Sequence, residues 1–70
     1  MSVHVNPGAL DRMLAERGVD YADLARAKRL GSASIARLRR GDSAGKRVLR
    51  KVAEFVDETP VLPSLRELIA

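Results

Sequence analysis

A short chain without cysteine has few means of holding a fold. With seventy residues it can bury only a modest core, and with no cysteine it can form no disulfide. Its one histidine, His4, is too few for a histidine metal site, and we expect neither a metal site nor a cofactor. The core must come from closely packed regular elements or be completed by a partner. We predict a single domain over residues 1–70, with its core at about 6–56.

Apolar residues recur at helical spacing along most of the chain. One stripe contains Leu10 and Leu14, and a later one extends through residues 48–56. The one alternating run, residues 3–5, is too short to predict a strand. We therefore predict an all-α fold, a compact bundle of four to five short helices.

Capping residues indicate the bounds of the first helix and the start of the second. Asn6 can accept backbone N–H bonds at a helix start, and Pro7 after it loses nothing by lacking an N–H. Gly18 is typical of a left-handed helix end. Asp20 with Asp23 three residues later resembles a capping box, which predicts that helix 2 begins after Asp20.

Two short helices joined by a tight turn are predicted in the middle of the chain. Helix 2 is expected over about 21–28 and helix 3 over about 32–40. Gly41 can end helix 3 in the left-handed region. Asp42 or Ser43 is expected to cap the helix that follows.

The C-terminal residues predict one more short helix, over about 64–70. Ser64 with Glu67 fits a capping box. The apolar face of this helix has two open interpretations: it closes over the small core, or it meets a second copy of the chain in a homodimer. That face consists of Leu65, Leu68 and Ile69.

Charge is distributed unevenly along the chain. Between Arg26 and Lys51 there are ten basic residues and one acid, Asp42, whereas the rest of the chain has three bases and eight acids, for a net charge of +4. A generic solvated surface usually mixes its signs. One-sided charge raises the positive potential over one part of the surface, which favours a polyanionic partner.

Helix 3 combines this charge with small side chains. At 3.6 residues per turn, Ile35 and Leu38 define its buried side. Small residues between arginines on the outer side permit close approach to a groove, and the DNA major groove admits one α-helix. The outer side holds Ala33, Ala36, Arg37 and Arg40, with Ser32 at the helix start.

These two helices resemble a known family. Leu24 and Ala25 on helix 2, with Leu30 in the turn, fit a helix-turn-helix whose second helix enters the groove. Residues 21–40 resemble the twenty-residue helix-turn-helix of phage repressor and Cro-like (lambda-repressor-like, Xre) DNA-binding proteins. Leu24, Ala25 and Leu30 match its fourth, fifth and tenth positions, and helix 3 supplies its fifteenth and eighteenth.

The turn departs from that motif at two positions. The eighth is usually apolar and is Lys28 here, and the ninth is usually glycine and is Arg29. Glycine comes two residues later, as Gly31. The sequence leaves open the geometry of this turn and the first residue of helix 3.

The resemblance implies two sets of DNA contacts. Arg37 is the leading candidate for a base, because arginine can bond guanine O6 and N7 together. Arg39 is expected to cover apolar surface with its stem or reach a phosphate, and Tyr21 to pack on the core. The implied base-reading residues are Ser32, Ala33, Ala36, Arg37 and Arg40. The implied phosphate contacts are Arg26, Lys28, Arg29, Ser43, Lys46, Arg47 and Arg50.

The sequence thus predicts a sequence-specific double-stranded DNA-binding transcriptional regulator of phage-repressor or Cro type, which reads the major groove with helix 3. The alternative is a protein-interaction module, an antitoxin or adaptor, that uses the same fold. An RNA reader is disfavoured because Tyr21 and Phe55 are the only aromatics. No catalytic constellation is present, so we expect no enzyme. With no membrane-length apolar run and no signal-peptide pattern, we expect a cytoplasmic protein without membrane contact.

Overall fold

The structure, a computed structural model, describes residues 2–69, and the side chains of Ser2, Val3, Arg66 and Ile69 lie outside the description. The all-α prediction is confirmed, and helices 2 and 3 have the predicted bounds. Five helices and two three-residue strands follow in the order β1 (Ser2–His4), α1 (Pro7–Glu16), α2 (Tyr21–Lys28), α3 (Ser32–Arg40), β2 (Ser43–Gly45), α4 (Lys46–Glu58) and α5 (Pro63–Ile69).

The first two helices begin at the predicted caps. The Asn6 side chain accepts from the Ala9 N–H at 3.1 Å. At α2, the Asp20 carboxylate accepts from the Asp23 N–H at 2.9 Å, and the Asp23 carboxylate accepts from the Asp20 N–H at 3.0 Å. Gly18, with φ +70°, follows α1 in the left-handed region as predicted.

The expectation that the chain has no strand was wrong. β1 and β2 pair antiparallel, with His4 opposite Ser43 and Ala44 at the centre of the pairing. Ala44 is buried while its two neighbours in β2 are exposed. The pairing joins segments about forty residues apart, so a run of three residues forms a strand through tertiary contact rather than local preference.

This pairing also corrects the expected cap of α4. Neither Asp42 nor Ser43 is the N-cap, because residues 43–45 form β2 and α4 begins only after Gly45. Gly45 offers no side-chain cap bond. At the C-terminus α5 begins at Pro63, so Ser64 lies inside the first turn instead of at the predicted capping position.

The core lies where α2 and α3 cross and is closed by α1 and α4. Leu24 and Leu38 have no exposed surface and are its largest fully buried side chains. Burying one leucine contributes about 1.5–3 kcal/mol relative to leaving it exposed. The buried set is Leu10, Leu14, Leu24, Leu38, Ala44, Val52 and Phe55.

Gly41 ends α3 as predicted and is required for two reasons. Its φ of +75° lies in the left-handed region that L side chains rarely adopt. A Cβ at this position would also lie 3.0 Å from Pro7 Cδ and 3.3 Å from the Val5 carbonyl oxygen. The turn after α3 is therefore packed directly against the start of α1.

Arg17 connects the end of α1 to the end of α4. Its Nε donates to the carbonyl oxygens of Val56 at 3.1 Å and Thr59 at 2.9 Å. Its Nη1 donates to the Met13 carbonyl oxygen at 2.9 Å. A cation at the C-terminus of a helix satisfies free carbonyl groups and complements the helix dipole.

The turn between α2 and α3 depends on a strained arginine. Arg29, at the motif position where glycine is usual, has φ +55° and ψ +47° and is the only described non-glycine residue with positive φ. The Leu30 N–H then donates to the Ala25 carbonyl oxygen at 3.0 Å. The chain therefore makes the left-handed turn at the expected position without a glycine, and Gly31 serves as the N-cap of α3.

We expect Arg29→Gly to stabilise the fold relative to Arg29→Ala by about 1 kcal/mol, because both remove the side chain but only glycine relieves the left-handed strain. Urea unfolding followed by circular dichroism measures the difference. Equal stability of the two variants would contradict a strained turn.

Candidate nucleic-acid interface

The predicted reading face of α3 is exposed. Ser32, Ala33, Arg37 and Arg40 are exposed and Ala36 is half-buried, while Leu38 on the opposite side is fully buried. The buried leucine fixes which side of the helix points outward. The structure therefore brings all five predicted base-reading residues together on one helix.

Both α3, which carries this face, and α4 begin without a side-chain cap. The N-caps of α3 and α4 are Gly31 and Gly45, and neither makes a side-chain cap bond. By contrast, Asn6 and Asp20 cap α1 and α2 with their own side chains. Backbone N–H groups at an uncapped helix start remain free to bind an anion.

The first turns of α4 carry a group of exposed cations. Lys46, Arg47 and Arg50 are exposed and line a surface depression together with Lys51. β2, which leads into α4, also contacts α3. The predicted phosphate residues at the start of α4, with exposed Ser43 on β2, thus follow directly on a strand that contacts α3.

The predicted DNA-contacting arginines differ in their present partners. Arg40 Nε lies 2.8 Å from Asp42 Oδ2, and Arg26 Nη2 lies 2.6 Å from Asp23 Oδ1. Both pairs are exposed, and exposed ion pairs contribute only about 0–1 kcal/mol. Arg37 makes no ion pair with any of the residues described at 2–69. A competing anion can therefore displace the partners of Arg26 and Arg40 at small cost.

Lys28 differs from the other predicted phosphate residues. Its side chain is only 15% exposed, and its Nζ lies 3.1 Å from both carboxylate oxygens of Glu58 and 3.6 Å from Glu54 Oε2. Its charge is thus directed to α4 and helps to hold α2 against that helix. Arg29, one residue later, is exposed.

A contact that the sequence did not predict connects three helices. The Tyr21 hydroxyl on α2 donates to Asp11 Oδ1 on α1 at 2.5 Å. The guanidinium carbon of Arg39 on α3 lies 5.5 Å from the centre of the Tyr21 ring, within the range of a cation–π interaction. Tyr21 also packs against the core as predicted, and Arg39 is exposed. No periodic pattern in the sequence indicates such a side contact.

The Tyr21 environment favours its neutral form. Burial, then the hydrogen bond to Asp11 and the charge of that carboxylate, raise the pKa of Tyr21 from 10.0 to about 12, against the opposing effect of Arg39. The hydroxyl therefore remains a donor throughout the neutral range.

The fold and its exposed basic helix define a helix-turn-helix domain. A profile of the Cro/C1-type HTH DNA-binding domain matches residues 9–60, which is more than half of the chain. The chain belongs to this family, and the predicted resemblance to Cro-like helix-turn-helix proteins is confirmed. Comparison with curated proteins and with solved structures gave no match.

Two further features were sought in the described part of the chain, a metal site and a membrane-spanning helix. Residues 2–69 contain no group of three or more metal-ligating side chains close enough to hold an ion. Within the same residues, no helix has the length and apolar character needed to cross a membrane.

We expect the Tyr21 hydroxyl to ionise well above pH 10 in the native protein and near pH 10 in urea, since folding raises its pKa. Between these two values the unfolded chain loses a proton that the native state keeps. Stability relative to Tyr21→Phe should therefore fall as pH rises from about 10 to about 12.

Ultraviolet titration of tyrosinate measures this directly, because the chain has one tyrosine and no tryptophan. Asp11→Asn should lower the native midpoint by removing the carboxylate charge. Native ionisation at the ordinary pH would rule out the Asp11–Tyr21 bond.

Proposed function

We propose that the protein is a sequence-specific double-stranded DNA-binding transcriptional regulator of phage-repressor or Cro type, which reads the major groove with α3. The observation that carries this proposal is the outer face of α3, where small residues lie between unburied arginines beside uncapped helix starts. This combination permits a close approach to the floor of a groove whose walls are anionic.

In the proposed complex Arg37 bonds guanine O6 and N7 in a bidentate way. It is available for this because it makes no ion pair with the described residues. Ala33 and Ala36 present methyl groups to thymine methyls, and Ser32 donates or accepts at a base edge. Arg40 leaves its ion pair with Asp42 and bonds a base edge instead.

The proposed phosphate contacts surround this face. Free N–H groups at the start of α4 join its cations, since a helix N-terminus attracts anions. Lys28 is given a different role, that of an anchor between α2 and α4, because its charge is already satisfied. The proposed phosphate residues are Arg26, Arg29, Ser43, Lys46, Arg47 and Arg50.

Selection of duplexes from a random pool, followed by fluorescence anisotropy, tests sequence specificity. We expect one sequence to be enriched and to bind at least ~10³-fold more tightly than random DNA. Arg37→Ala should cost about 1–3 kcal/mol on the selected duplex and little on random duplex. Arg12→Ala is the matched control, because Arg12 is an exposed arginine on α1.

The opposite result has a defined meaning. If no sequence is enriched and Arg37→Ala changes nothing, the basic surface docks anions without reading them. The alternative function, an antitoxin or adaptor that binds an acidic protein, would then replace the proposal.

The salt dependence of DNA affinity should distinguish Arg47, a proposed phosphate contact, from Lys28, a proposed anchor between helices. Because each phosphate contact releases counterions, Arg47→Gln should make the slope of log affinity against log salt shallower by about 0.9. Lys28→Gln should leave the slope unchanged and lower only stability, since its ammonium is paired with Glu58. If the slope for Lys28→Gln were as shallow as that for Arg47→Gln, Lys28 would contact a phosphate after all and its assignment as an anchor would be wrong.

The proposal includes a homodimer formed through α5. Leu68 is 81% exposed, whereas Leu65 lies over Gly18, where a Cβ would approach its Cδ1 to 3.0 Å. This contact supports a division of roles in which Leu65 covers the chain's own α1 and Leu68 meets a second copy. Ile69, predicted on the same face, has its side chain outside the described residues.

Sedimentation equilibrium tests the homodimer. We expect a dimer that Leu68→Ser converts to monomer, because this change removes most of the exposed apolar surface of the side chain. Glu67→Gln on the same helix is the control and should leave the dimer intact. A wild-type monomer at high concentration, on DNA as well as free, would contradict this part of the proposal.

A further inference from the structure

A shallow cleft of about 450 Å³ lies between α2 and α3, beside the reading face. Two of its lining residues, Ser32 and Ala36, also belong to that face. Ala22 and Ala25 make the α2 side equally small, and Tyr21 and Arg39 also line the cleft. Of the described residues that line the cleft, Arg39 alone carries a charge.

The geometry of DNA indicates what would occupy this cleft. A helix with side chains is about 10–12 Å wide and the major groove is about 12 Å wide. A helix seated in the groove therefore has a sugar–phosphate strand along each flank. Because Ser32 and Ala36 border both the reading face and the cleft, one of these strands comes to lie beside the cleft.

Arg39 has a side-chain contact at this place, with the ring of Tyr21. Its guanidinium lies over the Tyr21 ring, 5.5 Å from the ring centre, and the Tyr21 hydroxyl is bonded to Asp11 on α1. Stacking on an aromatic face leaves the N–H groups at the edge of the guanidinium free for an anion. The arginine therefore loses less side-chain entropy on meeting a phosphate than a freely rotating arginine would.

We propose that the α2–α3 cleft is a phosphate-binding subsite in which Arg39 contacts the DNA backbone and Tyr21 is a positioning residue for it. This inference rests on the proposed DNA binding and adds a contact on the flank of α3 that faces α2. The small residues of the cleft allow the sugar–phosphate strand to approach, and Arg39 supplies the charge.

Anisotropy titrations across salt, on both the selected and a random duplex, test the subsite. Arg39→Gln should weaken binding to both duplexes by a similar factor and make the salt slope shallower by about 0.9. Arg39→Lys should keep the wild-type slope because it keeps the charge. Arg12→Gln is the matched control, since it removes one exposed positive charge from α1.

The role of Tyr21 is tested by a double-mutant cycle. Tyr21→Leu removes the ring, and we expect it to reproduce part of the Arg39→Gln effect and to add nothing to it in the double variant. Circular dichroism verifies that each variant is folded. If Tyr21→Leu is unfolded, Tyr21→Phe takes its place in the cycle, because it keeps the ring and removes only the hydroxyl that bonds Asp11.

Ethylation interference locates the contact on the duplex. Ethylation of at least one phosphate should weaken DNA binding by the wild-type protein and leave binding by the Arg39→Gln variant unchanged. If the salt slope and the ethylation pattern ignore Arg39 while Arg47→Gln changes both, Arg39 is only a structural contact of Tyr21 and the inference is wrong. If the wild type binds no duplex at all, the proposed function fails first and the subsite with it.

Discussion

The complete burial of Leu24 and Leu38 in one core cluster is the constraint on which the rest of the structure depends. Both leucines are fully buried where α2 and α3 meet, so they fix the rotation of each helix about its own axis. That rotation determines that Arg37 points outward. In a chain of this size the total stability is only a few kcal/mol, and truncating one buried leucine costs about 2–5 kcal/mol. The exposed face of α3 therefore cannot be separated from the core behind it.

The helix starts show a consistent division. α1 and α2 each have one backbone N–H of the first turn bonded to a cap side chain, that of Asn6 or Asp20. α3 and α4 begin after Gly31 and Gly45, which provide no such bond. Each of these two starts has exposed cations beside it in the chain, Arg29 before Gly31 and Lys46 with Arg47 after Gly45, so incomplete capping and positive charge occur together. This supports a polyanion as the missing partner.

Features set by neighbouring residues could be predicted from the sequence, and features set by distant ones could not. The bounds of α2 and α3 follow from Asp20, which bonds three residues away, and from Gly41, which ends a helix by its own conformation. The strands escaped prediction because β1 is stabilised only by a partner about forty residues later. The same holds for Lys28, whose partner Glu58 lies thirty residues along the chain. A basic residue in a basic segment gives no local sign that its charge is already paired.

The sequence could predict which residues share the outer face of α3, but not which of its arginines are paired with an acid. The five predicted base-reading residues share one face because helical geometry alone places them there. Whether an arginine on that face is free or paired depends on side-chain contacts, and here Arg37 and Arg40 differ.

That difference has a consequence for specificity under the proposed mode of binding. Arg40 is held by Asp42 at 2.8 Å, an exposed pair that contributes about 0–1 kcal/mol. A bidentate contact with guanine contributes about 1–3 kcal/mol of discrimination. A wrong base cannot form this contact, so Arg40 would lose its ion pair with Asp42 and gain little. Asp42 therefore competes effectively for Arg40 at DNA sites without the matching guanine, and only weakly at sites that have it. Asp42 is the only acidic residue between Arg26 and Lys51. Its ion pair with Arg40 adds little to stability, yet in this way it can suppress binding to non-cognate DNA.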